Sequence, residues 1–225
     1  MDEKLERAKE RAWREVAAID AAHAAAELDD AGWHAAMAAL VVPAYLAAPT
    51  AEGGSGHSGT AEDWEYSRGI VAAGIAGETF LDVGCANGLL MESVHRWTGS
   101  EPFGLELSPE LAGLARRRNP QWADRIFVGN ALGWEPPRRF DTVRTGLEYV
   151  PGQQRRALVT HLLERIVTPG GRLVIGKFNE QVERRSLEEE VASWGFRVAG
   201  RAERPQRGEP RIAYRAFWIA RVQSS

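Results

Sequence analysis

The sequence predicts an α/β fold with a mostly parallel sheet, because short apolar runs alternate along the chain with amphipathic helical segments. Three strand-like runs, at 79–83, 102–106 and 126–131, are each followed by a turn or a helix start. Two further runs, at 195–198 and 212–220, are joined by a polar turn and predict an antiparallel hairpin. These three observations define the expected sheet.

Length and composition limit the classes of protein to which the chain can belong. Its 225 residues suit one domain with an amino-terminal extension, which we place at 1–60 before a domain at 61–225. A net charge of −3 disfavours a nucleic-acid partner, although the arginines at 116–118 could form a local basic patch. The sequence shows neither a spanning segment nor a secretory signal, so we expect a cytoplasmic protein without membrane association. Its single cysteine excludes an intrachain disulfide and a cysteine-built zinc site.

The extension at 1–60 predicts two helices and a glycine-rich segment. Residues 2–28 place apolar side chains on one helical face. A second helix begins after an aspartate cap at 29 or 30 and continues until Pro43 disturbs it. The glycines at 52–60 predict either a flexible linker or a lid that closes over a ligand. The extension as a whole either encloses a substrate or forms a homodimer contact.

The domain is organised around residues 79–90, which read TFLDVGCANGLL. This run predicts a buried strand, a tight turn and a helix start. Gly84 and Gly88 let the backbone approach a ligand closely, and the first amides of the following helix point unpaired donors into the same space. The spacing Gly-x-x-x-Gly, with Asp82 two residues earlier, differs from the Gly-x-Gly-x-x-Gly pattern of dinucleotide-binding turns.

Two more motifs accompany this turn. The run at 102–106 ends in Glu106, whose carboxylate could accept hydrogen bonds from both hydroxyls of a ribose. Residues 167–175, VTPGGRLVI, combine a helix stop, a glycine turn and a strand. Taken with the turn at 79–90, these residues resemble the class I S-adenosylmethionine (SAM)-dependent methyltransferases, over about residues 64–222.

The resemblance implies a Rossmann-like fold: a three-layer αβα sandwich around a mostly parallel seven-stranded sheet with an antiparallel carboxyl-terminal hairpin, plus the amino-terminal helices. It implies SAM as the cofactor, S-adenosylhomocysteine (SAH) as its product, and no metal. Arg68 would bind the methionyl carboxylate, Glu106 the ribose, and Asn130 the adenine amino group. The residues that the resemblance places at the cofactor are Arg68, Asp82, Gly84, Cys85, Ala86, Gly88, Glu106, Leu107, Asn130, Ala131 and Thr145.

Two of these positions depart from the family pattern. Ala86 stands where glycine is often found, and its methyl group disfavours a positive φ. Asn130 stands where an acid is common, although its amide oxygen can still accept from the adenine amino group.

A fourth strand-like run, at 139–144, is followed by the loop at 145–151. This loop should lie at the carboxyl ends of the strands, where parallel sheets bind ligands. It supplies two candidate catalytic residues. Glu148 could attract a cationic amine, and Tyr149 could hydrogen-bond the methyl acceptor; helix capping and packing are their structural alternatives. His57, in the glycine-rich segment, is a third candidate because histidine exchanges a proton near neutral pH.

These observations predict methyl transfer to nitrogen or oxygen of a small molecule in a biosynthetic or tailoring pathway. The acidic balance of the chain favours a cationic acceptor such as an amino sugar. Three alternatives stay open: a methyltransferase acting on RNA or protein, a SAM-binding module without catalysis, and a nicotinamide dehydrogenase.

Overall fold

The computed structural model describes residues 3–178, 186–208 and 213–221. Its seven α-helices are α1 (Glu3–Ala24), α2 (Asp30–Leu46), α3 (Ala61–Arg68), α4 (Leu89–Thr98), α5 (Pro109–Arg118), α6 (Arg155–His161) and α7 (Leu187–Ser193). Its strands are β1 (Thr79–Val83), β2 (Glu101–Glu106), β3 (Ile126–Val128), β4 (Phe140–Thr145), β5 (Val167–Lys177), β6 (Val198–Pro205) and β7 (Ala213–Ala220). Four 3₁₀ helices, Gly53–Ser55, Gly69–Gly74, Pro120–Arg125 and Gly152–Gln154, and a π-helical turn, Leu162–Ile166, complete the described elements.

The seven strands form one sheet in the order β3-β2-β1-β4-β5-β7-β6. Strands β1 to β5 pair in parallel, whereas β7 pairs antiparallel with both β5 and β6. The predicted mostly parallel sheet with its antiparallel carboxyl-terminal hairpin is therefore confirmed. The strand order reverses between β1 and β4, which makes their carboxyl ends the expected place for a ligand.

Both faces of the sheet are covered by apolar side chains. Successive residues of β1 point to opposite faces, so Phe80 packs in one cluster while Leu81 and Val83 pack in the other. The first cluster includes Trp64, from α3, and residues of α4. The second includes residues of α6 and the following π-helical turn. Burial on both faces explains why β1 reads as a continuous apolar run that ends in an acid.

The predicted helix starts are confirmed where side chains cap them. Asp29 accepts a hydrogen bond from the Gly32 amide at 2.7 Å, and Thr60 forms a reciprocal capping box with Asp63. Pro43 lies inside α2, so the expectation that it disturbs the helix is wrong.

The sequence favours one helix from Gln153 to Val167, but α6 covers only Arg155–His161 of this segment and a π-helical turn follows it. A 3₁₀ turn precedes α6, and β5 begins at Val167, before the Pro-Gly-Gly turn, and continues through it. The register of β5 against β4 shifts there, because Gly170 adopts a φ of 80° and Gly171 lies close to the Asp141 carbonyl. At the other edge, β3 spans Ile126–Val128, which lies within the predicted strand and exit at 126–131. Ile212 of the predicted last strand lies outside the described residues.

Asp141 ties the start of β4 to the start of β1. Its carboxylate accepts hydrogen bonds from the Glu78 and Thr79 amides and from the hydroxyls of Thr79 and Thr168, at 3.0 to 3.2 Å. Burial raises the pKa of Asp141, but these donors outweigh burial and hold the pKa below its ordinary value. Because the folded-state pKa is the lower one, the carboxylate stabilises the fold above the unfolded-state pKa, and this contribution is lost as pH falls through the folded-state pKa.

We expect Asp141→Asn to lower the free energy of unfolding by about 1–3 kcal/mol at pH 7. The reason is that the NH2 group of the new side chain would face the amides and hydroxyls that donate to Asp141. The difference from the unmodified protein should shrink as pH falls below about 4, where the unmodified carboxyl also becomes protonated. Urea denaturation at pH 7, 4 and 2.5 measures this, with the exposed Asp124→Asn as the control. A difference that is constant across this range would contradict the account.

Candidate functional site

The turn between β1 and α4 is held in a left-handed conformation at three positions. Gly84, Ala86 and Gly88 have φ values of 74°, 48° and 77°. Ala86 adopts this conformation even though its methyl group disfavours it, since the left-handed region costs a residue with a Cβ roughly 1–2 kcal/mol. A hydrogen bond from the Ala86 amide to Glu106 Oε2, at 2.8 Å, offsets part of that cost.

Glu106 lies at the end of β2 and joins two backbone segments. Its Oε2 accepts from Ala86, and its Oε1 accepts from the Ser108 amide at 3.0 Å. Burial raises the pKa of Glu106, while these amides oppose the shift. Each carboxylate oxygen can accept a second hydrogen bond, so Glu106 can shape the turn and still bind hydroxyl groups of a ligand.

A buried polar triad lies at the carboxyl ends of β1 and β4. Arg144 Nη1 donates to Asp82 Oδ1 at 3.3 Å and to the Tyr149 hydroxyl at 3.1 Å. Burial raises the pKa of Asp82 to about 7, against the opposing effect of Arg144. Burial also opposes the charge of Arg144, but Tyr149 and Asp82 outweigh it and raise the arginine pKa. Arg144 is therefore a permanent cation inside the site.

The ring of Tyr149 lies on Gly84. A Cβ at Gly84 would stand 2.6 Å from the ring, closer than real Cβ contacts. Burial raises the pKa of the Tyr149 hydroxyl above its ordinary value, so the hydroxyl keeps its proton at neutral pH. The adjacent Glu148 is exposed and points its carboxylate back towards Gly146.

Arg68, at the end of α3, is a second cation in the site. Its guanidinium lies 4.3 Å from the centre of the Phe178 ring and donates to Ser67 Oγ at 3.1 Å. Burial, with a smaller effect of Arg144, lowers the pKa of Arg68 to about 10. Arg68 forms no ion pair with a carboxylate in the part of the chain that the structure describes. An arginine in such a place favours an anionic group of a ligand as its partner.

The amino-terminal extension lies over the glycine turn. Asn87 Nδ2 donates to the Ala51 carbonyl at 2.6 Å, and a Cβ at Gly54 would stand 2.7 Å from the same nitrogen. The Tyr45 hydroxyl, from α2, packs against Gly56, where a Cβ would stand 2.3 Å from it. The segment that carries the glycines is thus held against the turn by contacts that leave no room for larger residues.

His57 lies beyond this cover and lines a separate cavity of about 160 Å³. The cavity separates the glycine-rich segment from the loop between β6 and β7, and Asp63, Tyr66, Gln206, Arg207 and Tyr214 also line it. Glu148 and Tyr149 are not among the residues that line this cavity, so the structure does not group His57 with them.

Five other predicted site residues have distinct surroundings. Leu107 is 41% exposed just beyond β2. Asn130 is also exposed, and its Oδ1 accepts from the Leu132 amide at 3.0 Å, so its oxygen has a local partner. Ala131 is half-buried. Two side chains point away from a ligand: Thr145 is fully buried and donates to the Gly146 carbonyl, and the Cys85 side chain packs beneath the turn.

Sequence reasoning missed Tyr45, Asn87, Arg144 and Phe178. Arg144 had a signal, since an arginine within the strand sequence FDTVRT is a charge in an otherwise buried element. Tyr45 had none, because the contact with Gly56 depends on how α2 packs. The sequence also predicts that Asn179 and Glu180, at the end of the fifth strand, point toward the substrate side, but both lie outside the described residues. Within the described ranges, no group of three or more His, Cys, Asp or Glu side chains could hold a metal ion.

Part of the chain is similar to known methyltransferases. Residues 80–171 match the family model described as "Methyltransferase domain". The chain is 34% identical over 111 residues to the "Ubiquinone biosynthesis O-methyltransferase" of Xanthomonas euvesicatoria pv. vesicatoria (strain 85-10). That match covers 47% of this chain and 45% of the relative, so the chain spans about half the length of the curated relatives that it matches.

Solved structures share the fold at low sequence identity. The [4+2]-cyclase SpnF superposes with a TM-score of 0.56 and 15% identity, covering 72% of this chain and 82% of SpnF. Magnesium protoporphyrin IX methyltransferase from Synechocystis PCC 6803, solved with bound SAM, gives 0.53 and 16%, covering 74% of this chain and 86% of that chain. None of the helices in the described part of this chain combines the length and apolarity needed to cross a bilayer.

Proposed function

We propose that this chain transfers a methyl group from SAM to nitrogen or oxygen of a small molecule, because residues 80–171 match a methyltransferase-domain model and the fold is shared with a methyltransferase solved with bound SAM. The name of the matched relative favours oxygen and a biosynthetic pathway. The observation that carries the proposal is Arg68, a cation within the site that has no carboxylate partner among the described residues.

The groups of the site match the parts of SAM. Arg68 would hold the methionyl carboxylate, since arginine binds carboxylates through charge-assisted hydrogen bonds. Glu106 would accept from the ribose hydroxyls with its remaining lone pairs. Leu107, an exposed apolar side chain at the end of β2, would border the adenine. When bound, SAM supplies an activated methyl group with a good leaving group.

The chain itself mainly aligns the acceptor and excludes water. Alignment can supply about 7–11 kcal/mol of a barrier in favourable cases. The contacts of Asn87 and Tyr45 hold the extension against the glycine turn and thereby shield the site. Tyr149 would donate its retained proton in a hydrogen bond to the acceptor, held in place by Arg144. Glu148 and His57 remain the candidates for taking up the acceptor proton.

We expect Tyr149→Phe to lower kcat by about 10- to 100-fold, which is the effect of losing one hydrogen bond to a group that carries or develops charge. The affinity for SAM should change less than about twofold, because the ring that lies on Gly84 is kept. Steady-state kinetics and calorimetry on the same preparation separate the two effects. A loss of SAM affinity equal to the loss of kcat would show that Tyr149 only packs.

The fold alone leaves other activities open, since SpnF shares it and is a cyclase. Isothermal titration calorimetry with SAM and SAH, followed by transfer of labelled methyl from SAM to a panel of small hydroxyl and amine compounds, tests the proposal. Binding with transfer supports it. Binding without transfer to any small molecule, RNA or protein would favour a non-catalytic module, and binding of NADH in place of SAM would favour a dehydrogenase.

A further inference from the structure

Arg144 has one edge of its guanidinium that no described residue accepts from. Both of its hydrogen bonds, to Asp82 and to Tyr149, come from Nη1. Its Nε is buried and has no hydrogen-bond partner, and Nη2 donates to no residue of the described ranges. A buried donor without an acceptor lowers the stability of the fold, so the unsatisfied Nε of Arg144 needs an explanation.

The free edge has the geometry of a carboxylate site. Nε and Nη2 of arginine form a planar fork that donates two parallel hydrogen bonds to a carboxylate. The rings of Phe178 and Tyr149 flank the guanidinium, with their centres 5.6 Å and 6.0 Å from its central carbon. Aromatic walls beside a planar fork suit a flat organic acid.

The local charge also calls for an anion. Arg68 and Arg144 both lie against the Phe178 ring, and Asp82 is the one carboxylate among the described residues that pairs with either of them. Burial raises the pKa of Asp82, while Arg144 opposes the shift. The nearby Glu106 is engaged by two backbone amides. With Asp82 on Nη1 and a cofactor carboxylate on Arg68, Nε of Arg144 would still have no acceptor.

The strand order assigns Arg144 to the acceptor. Strands β1, β2 and β3 lie on one side of the point where the order reverses, and β4 and β5 lie on the other. The glycine turn and Glu106 belong to the first side. Arg144 belongs to β4, and Phe178 follows β5 directly. If the cofactor occupies the β1–β3 side of the crevice at the strand ends, a methyl acceptor bound on the β4–β5 side would lie against Arg144.

We infer that the free edge of Arg144 binds a carboxylate of the methyl acceptor, which is therefore an organic acid. This inference rests on the proposed function and replaces the cationic acceptor expected from net charge, because the local charge of the site outweighs the balance of the whole chain.

Three aromatic probes of similar size and different charge test the inference: benzoate, benzyl alcohol and benzylamine. We expect ligand-observed NMR on the protein saturated with SAH to detect benzoate binding, with weaker binding of benzyl alcohol and none of benzylamine. Arg144→Gln should weaken benzoate about 10- to 100-fold, the range of a charge-assisted pair. Arg201→Gln, which removes an arginine with a 72% exposed side chain, is the control and should change nothing.

A second variant tests the inference even if Arg144→Gln does not fold. Arg144→Lys keeps the charge beside Asp82 but lacks the fork, so it should fold and still bind benzoate at least about tenfold more weakly. Benzylamine binding equal to benzoate, or benzoate affinity unchanged in both folded variants, would overturn the inference.

The cofactor is the other source of a carboxylate, and SAH and 5′-methylthioadenosine, which lacks the amino-acid part, distinguish the two. If Arg144→Gln weakens SAH as much as Arg68→Gln does and leaves 5′-methylthioadenosine unchanged, Arg144 binds the cofactor and the inference is wrong. SAH that binds the unmodified protein keeps the proposed function standing in that case. If SAH does not bind the unmodified protein, the proposed function itself is wrong.

Discussion

Gly84→Ala should abolish most cofactor binding and destabilise the fold. The new Cβ would stand 2.6 Å from the Tyr149 ring, and the residue would have to adopt a φ of 74°. Left-handed backbone costs about 1–2 kcal/mol and overpacking about 1–3 kcal/mol, so we expect a loss of stability of about 2–4 kcal/mol. The affinity for SAH should fall about 100-fold or more, because the turn must move to relieve the contact. Urea denaturation and calorimetry measure the two effects.

Gly113→Ala is the matched control for this variant. Gly113 lies within α5, and the one atom recorded near an added Cβ is the flexible end of Arg117 at 3.4 Å. The same chemical change should therefore stabilise the protein by about 0.5–1 kcal/mol and leave SAH affinity unchanged. If Gly84→Ala binds SAH as tightly as Gly113→Ala does, the turn is not the cofactor site.

Arg68→Gln should lower the affinity for SAH by about 10- to 100-fold, the equivalent of a lost charge-assisted pair of about 1.5–3 kcal/mol. The reason is specific to one part of the ligand, since Arg68 is proposed to hold the methionyl carboxylate. The affinity for 5′-methylthioadenosine should therefore change less than about twofold. Stability should fall little, because Arg68 makes one hydrogen bond to a described residue, Ser67, and stacks on Phe178.

Arg96→Gln serves as the control, since it removes an arginine whose side chain is 55% exposed on α4. Both ligands should bind this variant normally. Equal weakening of SAH and 5′-methylthioadenosine by Arg68→Gln would show a general distortion of the site instead of a lost carboxylate partner.

The sequence predicted the sheet well because its signals are local. The run at 79–90 carries its strand, turn and helix start in consecutive residues, and the caps at Asp29, Thr60 and Ser108 act within one helical turn. The continuous strand β5 was less predictable. Its path through the Pro-Gly-Gly turn depends on pairing with β4, a contact between distant parts of the chain.

The site divides in the same way. The positions of Gly84 and Glu106 follow from strand ends, which the hydrophobic pattern reveals. The partners of Arg144 do not, because Asp82 and Tyr149 meet it only once β1 and β4 pair. Local charge around Arg68 and Arg144 is likewise a property of the folded arrangement, and this charge favours the anionic acceptor that we infer, whereas the net charge of the whole chain favours a cationic one.

A crystal structure with SAH bound tests the central claim most directly. We predict the ribose hydroxyls within hydrogen-bonding distance of Glu106, the carboxylate on Arg68, and the thioether beside the turn at residues 84–88. An SAH molecule bound away from this turn, or none at millimolar concentration in a crystal whose turn is open to solvent, would contradict the account.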